Sequence, residues 1–106
     1  MARGRLSGYR RIDEIYDHDV EHEPGIYLFY KRIDGPVRYV GRSDTSLYNR
    51  IRGRGYLYYQ YKHCPDDEEA YYWECEYFHR YEDTIENWNH PAKPRYSNLR
   101  CHLCDS

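Results

Sequence analysis

Four residues in the second half of the chain have the types and spacing of a zinc site. Cys75 and His79 lie four apart, so on a helix they share one face. Cys101 and Cys104 form a CxxC close to the C-terminus. Three thiolates and an imidazole suit a tetrahedral, structural Zn²⁺. Cys64, His63, His90 or His102 could replace one of these ligands, and a Cys101 to Cys104 disulfide or inert thiols are the alternative. Such a centre would give the last stretch of chain an anchor, because Pro91 and Pro94 rule out regular helix there.

A second chemistry is suggested by the run Arg50-Ile51-Arg52-Gly53-Arg54-Gly55-Tyr56, which interleaves cations with aromatic and apolar groups. Guanidinium groups donate paired hydrogen bonds to phosphate oxygens, and a ring between them can stack on a base. Charge is distributed in keeping with this. Residues 24–62 carry eight positive and two negative charges, whereas residues 63–106 carry four and ten, so a formal net charge of −2 conceals one basic half. That net charge argues against a non-specific nucleic-acid binder, and a solvated surface is the plain alternative for the charge run.

The elements that must position these residues follow from turn and period signals. Gly25–Tyr30 is a β-prone run of aromatic and branched residues; Asp34-Gly35-Pro36 is a turn, and residues 37–41 resume the β pattern, which predicts an antiparallel hairpin. Caps at residues 43–45 precede Leu47, Tyr48 and Ile51, and Gly53 and Gly55 stop what is then a short helix carrying Arg50. Residues 57–61 read as a third strand. The acidic cluster Asp66 to Glu69 opens a helix that spans 70–81, where its charge complements the helix dipole. Offsets of 3, 4 and 8 between Ile12, Ile15, Tyr16 and Val20 predict a short helix over 12–20.

Gly25-Ile26-Tyr27, eleven residues, then Tyr39-Val40-Gly41-Arg42 resembles the paired signature of the GIY-YIG nuclease family. Leu47-x-x-Arg50 and Ala70-x-x-x-Glu74 are similar to the family's next motifs and stand in the same order, so the resemblance covers residues 24–98. It implies a small α/β protein of the α+β kind, with a three-stranded antiparallel sheet flanked by helices and a zinc-stapled tail. The implied activity is endonucleolytic hydrolysis of DNA phosphodiesters with Mg²⁺ or Mn²⁺. On this pattern Glu74 holds the catalytic cation, Arg50 lies beside the scissile phosphate, and Arg42 assists it. Tyr39 takes the proton from the attacking water with Tyr27 in support, and a phenol can do this near neutrality only where positive charge favours the phenolate. Gly41 would let the backbone approach phosphate or another element, with Arg52, Arg54 and Tyr56 along the substrate. Asn89 or Asn98 could face the site as well, since relatives carry an asparagine late in the chain. A branch of small GIY-YIG-like proteins also resembles this chain in its tail, with Asn87 and Asn89 near His90-Pro91 ahead of a CxxC.

A length of 106 residues fits one domain, with a core over 24–98 and a tail over 99–106. Fifteen tyrosines against two phenylalanines mean that much of the aromatic core carries hydroxyls requiring partners. Neither a membrane span nor a signal-peptide apolar region is readable, which predicts a soluble, cytoplasmic protein. Two other readings stand beside the nuclease: a non-catalytic nucleic-acid-binding module, and a scaffold whose zinc-bearing end meets a protein partner or a second copy of itself.

Overall fold

The computed structural model describes residues 6–17, 20, 22–87, 89–94 and 97–104. Its centre is β2 (Gly25–Tyr30), where every residue is buried because β2 has a strand on each side and a layer on each face. On one side it pairs antiparallel with β3 (Tyr39–Ser43), and on the other with β4 (Tyr58–His63). The hairpin and the third strand therefore form where turn chemistry put them: Gly25–Tyr30 keeps its expected bounds, and the next two strands are shifted by a residue or two toward the C-terminus.

A fourth strand corrects the expected three-stranded sheet: β1 (Arg10–Arg11) pairs antiparallel with β4, giving the order β1-β4-β2-β3. Two adjacent arginines carry no β signature. The pairing is imposed from outside, by Ser7, whose N–H donates to Tyr61 O at 2.8 Å and whose hydroxyl accepts from Tyr61 N at 3.0 Å. The short helix expected over 12–20 is a 3₁₀ helix, Ile12–Asp17, with Ile12, Ile15 and Val20 buried; His18 and Asp19 lie outside the described residues.

Alternation along β2 divides the interior in two. Tyr27 and Phe29 join Leu47 and Ile51 of α1 (Leu47–Ile51) on one face, while Ile26 and Leu28 meet Ala70 and Tyr77 of α2 (Asp67–Arg80) on the other. Both helices begin as their caps dictate. Ser46 accepts from Asn49 N, Asp66 accepts from Glu69 N at 2.9 Å, and the acidic residues 67–69 fill the first turn of α2. No helix among the described residues is long and apolar enough to cross a membrane.

Beyond α2 the chain folds back along the free edge of β3. Asn87 replaces a missing strand there: its Nδ2 donates to Val40 O at 2.8 Å and its Oδ1 accepts from Val40 N at 3.1 Å. Thr84 Oγ1 donates to Val37 O and Glu86 N to Arg38 O, so the whole stretch is pinned. Asn87→Ala should leave the Val40 groups to water and lower the unfolding free energy by about 1–2 kcal/mol, measured by urea denaturation.

Candidate functional site

The free edge of β3 is also where the chemistry-bearing side chains meet. A cleft of about 210 Å³ is lined by Tyr27 of β2, Tyr39, Gly41 and Arg42 of β3, Arg50 of α1 and Glu74 of α2, and it is closed by Asn87 and residues 89–92. Four elements distant in sequence thus contribute to one concavity. Tyr27 and Tyr39 reach it from the α1 face of the sheet with their rings stacked, centroids 6.4 Å apart. Arg42, one residue on from Gly41, points to the other face and meets Glu74.

Position on α2 explains the state of Glu74. It shares the buried face with Ala70, Tyr71, Cys75 and Tyr77, and only 8% of it is exposed. Burial pushes its carboxyl up to about 7; Arg42 opposes this and Asp44 reinforces it. The Arg42 guanidinium is fully engaged: Nη1 donates to Glu74 Oε1 at 2.9 Å and to Ala92 O at 2.6 Å, and Nε donates to Asp44 Oδ1 at 2.6 Å. Its Cζ lies 5.4 Å from the centre of the Tyr71 ring. Arg42 is therefore tied to the carboxylate, while Arg50, exposed at the last turn of α1, is the cation turned to solvent beside the cleft. Burial also raises the pKa of Tyr27, 1% exposed, against a hydrogen bond and positive charge from Arg50. Tyr39 is the more accessible of the two phenols.

Gly41 owes its place to Tyr27. The two are cross-strand partners, and a Cβ on Gly41 would fall on the Tyr27 ring and hydroxyl. Gly25 is under a similar constraint, facing Lys62 O and the Leu47 side chain. The close approach anticipated for Gly41 is thus an approach of its neighbour's phenol. Gly41→Ala should drive that ring out of its rotamer, lowering stability by about 1–3 kcal/mol in thermal unfolding and removing Tyr27 from the cleft.

The other three site candidates of the basic-aromatic run do not line the cleft. Arg52 is exposed beyond α1, and Arg54 lies 5.4 Å over the rings of both Phe29 and Tyr39. Tyr56 packs on Phe29 and donates to Glu86 Oε1 at 2.7 Å; burial and then Glu86 push its phenol up to about 12. Asn89 lines the cleft and Asn98 does not. Two contributors escaped the sequence reading, Asp44 and the carbonyl of Ala92. The only signal for the second was the density of polar and proline residues over 87–92.

Next to the cleft, His79, His90, Cys101 and Cys104 bring one ligand atom each to within 4.8 Å of one another. This His₂Cys₂ cluster could hold a metal ion such as zinc, whose bonds of about 2.0–2.3 Å set a similar ligand spacing. The hydrogen bonding of the imidazoles fits that use. His79 Nδ1 faces Glu82 Oε2 at 2.9 Å, and its Nε2 is buried with no hydrogen-bond partner among the described residues. His90 Nδ1 faces Pro91 O at 2.9 Å, which leaves Nε2 directed at Cys104 Sγ, 3.2 Å away. Both rings are thus oriented through Nδ1 and present Nε2, as metal-binding histidines do. Burial raises Cys101, but the net displacement is downward because Leu103 N–H, the Cys75 thiol and Cys104 N–H stabilise its thiolate.

Cys75 is the correction. It was expected as the fourth ligand, but His90 takes that place. Cys75 turns into the core against Tyr71 and Cys101, fully buried, and burial pushes its thiol up to about 12. His79 and the CxxC stand as expected, and none of the four cysteines is in a disulfide.

No family model matches the sequence, and neither a curated protein nor a solved structure matches it.

Proposed function

We propose that this chain is a GIY-YIG-type endonuclease that hydrolyses DNA phosphodiesters with a divalent cation, Mg²⁺ or Mn²⁺, and that it carries a structural zinc centre. The single observation behind the reading is the convergence of Tyr27, Tyr39, Arg42, Arg50 and Glu74 on one polar cleft. Phosphodiester hydrolysis needs a base for water, positive charge for the developing oxyanion and help for the leaving oxygen, and these side chains are of the required types.

Glu74 is a hard oxygen ligand in a polar recess, which fits a small divalent cation completed by water and phosphate. When bound, that cation supplies charge neutralisation at the phosphate. Arg50 holds the non-bridging oxygens from the solvent side. Tyr39, the more accessible of the two phenols, accepts the proton of the attacking water in its phenolate form, and Tyr27 orients it from below with Arg50 at its hydroxyl. Arg42 holds Glu74 in place. In the second centre, the softer Cys₂His₂ donor set favours zinc over Mg²⁺.

One observation favours a second reading. Arg42 already occupies Glu74 Oε1, an arrangement that would also suit a module that binds nucleic acid without cutting it. The two readings separate in one experiment. Supercoiled, branched and single-stranded DNA are incubated with the protein and Mg²⁺ or Mn²⁺, and cleavage is read on gels beside binding by mobility shift. Cation-dependent nicking that Arg50→Ala abolishes supports the nuclease; binding with no nicking under either cation supports the module.

A further inference from the structure

We infer that the His₂Cys₂ centre acts as a positioning device for the cleft, so that its occupancy sets the affinity of the Glu74 site for a divalent cation. This rests on the reading of Glu74 as the catalytic cation's ligand. His90 belongs to both places: its ring offers Nε2 to the metal cluster, and the residue lines the cleft. Two residues later, Ala92 O accepts from Arg42 Nη1 at 2.6 Å, and that same nitrogen donates to Glu74 Oε1 at 2.9 Å.

The connection is short and stiff. Pro91 fixes one backbone angle between the ligand His90 and the carbonyl of Ala92, and His90 Nδ1 is held on Pro91 O. A metal ion that fixes His90 therefore fixes the carbonyl that orients Arg42. From α2 the same two sites are joined again, because Glu74 and His79 lie five residues apart on one rigid helix. The wall over 89–94 has no regular secondary structure of its own, so a metal bond at His90 would add an anchor beside the Arg42–Ala92 contact. Loss of that bond frees Ala92 O, leaves Arg42 to Asp44 and Glu74 alone, and opens the cleft wall.

Two variants test this. Cys104→Ser removes an exposed ligand, and Pro91→Gly keeps all four ligands but loosens the link between His90 and Ala92. Zinc is counted by atomic absorption, folding is checked by circular dichroism, and Mn²⁺ binding is titrated by electron paramagnetic resonance. Glu74→Gln identifies the Mn²⁺ signal that belongs to the cleft. The Arg42 Nε–H resonance gives a readout that needs no cation and no DNA. Cys104→Ser is expected to lose zinc and to bind Mn²⁺ about tenfold more weakly, as displaced supporting groups do. Pro91→Gly should retain one zinc yet weaken Mn²⁺ roughly two- to fivefold, and both should move the Arg42 resonance. A zinc-loaded Pro91→Gly protein whose Arg42 resonance and Mn²⁺ affinity equal the native values overturns the inference. A displaced Arg42 resonance in a protein that never cuts DNA removes the hydrolytic reading and supports the mechanical link.

Discussion

Glu74→Gln should make the protein more stable above pH 7 and, under the proposed nuclease function, abolish cleavage of DNA. Burial raises the Glu74 carboxyl to about 7 from its ordinary value near 4.5, so the native state prefers it protonated. The sign follows from linkage. The stability that protonation provides is complete below about pH 4.5 and is lost as pH rises through 7. At pH 8 the metal-free native protein thus holds an ionised, buried carboxylate at a cost of about 3 kcal/mol. Glutamine matches the neutral acid in shape and can still accept from Arg42 Nη1, so it escapes this cost. Thermal unfolding without divalent cations should show the variant melting on the order of 10 °C above the native chain at pH 8, with the two curves converging below pH 5. Mg²⁺ should raise the native melting temperature at pH 8 and leave the variant unmoved. Cleavage should fall by a factor on the order of 10³, since a bound cation supplies several kcal/mol of charge stabilisation. A residue that merely held the fold together would lose stability on substitution. Gain of stability with loss of activity is the mark of a group kept for chemistry, and a variant less stable than native at pH 8 would remove Glu74 from that role.

The same carboxylate indicates how far sequence reasoning reaches. Glu74 was readable as a helix residue because Asp66 caps α2 and the acidic first turn suits its dipole, both local effects written in adjacent residues. That the helix would bury Glu74 beside Ala70 and Tyr71 depends on which face meets the sheet. The charge-rich composition of α2 blurs that face, with Glu74 and Glu76 differing in burial though only two apart. Strand β2 was legible for the opposite reason. A continuous apolar and aromatic run has no polar face to misplace, and every residue of Gly25–Tyr30 is buried. Strand β1 was not legible, because its pairing comes from Ser7 and β4 and its own two arginines contribute no preference. In the cleft, the side chains on regular elements could be anticipated from motif order, whereas Asp44 and Ala92 O could not. Their places are set by turns and by the return of the tail along β3, for which no periodicity exists.

The His₂Cys₂ cluster, which could hold a metal, exposes the same boundary, and its ligand set can be tested directly. Cys75 and His79 share a helix face by spacing alone, but α2 spends the Cys75 position on the core and the His79 position on the cluster, about 40° further round. His90, on an irregular segment, completes the set. Purified without chelator, the protein should hold one zinc per chain. Cys75→Ala should retain it and lose only about 1–2 kcal/mol from the small cavity left beside Tyr71. His90→Ala should weaken zinc by more than the 10- to 100-fold typical of supporting groups, because it removes a bond to the metal itself. Stripping the metal should lower the melting temperature by on the order of 10–20 °C, since a site absent from the unfolded chain contributes its binding energy to folding. The imidazole geometry explains why the effect should be large. His79 Nε2 is buried with no partner among the described residues, so the metal-stripped protein would carry an unsatisfied polar atom that the metal relieves. Zinc retained by His90→Ala and lost by Cys75→Ala would return the fourth position to the helix and break the link between this centre and the cleft wall.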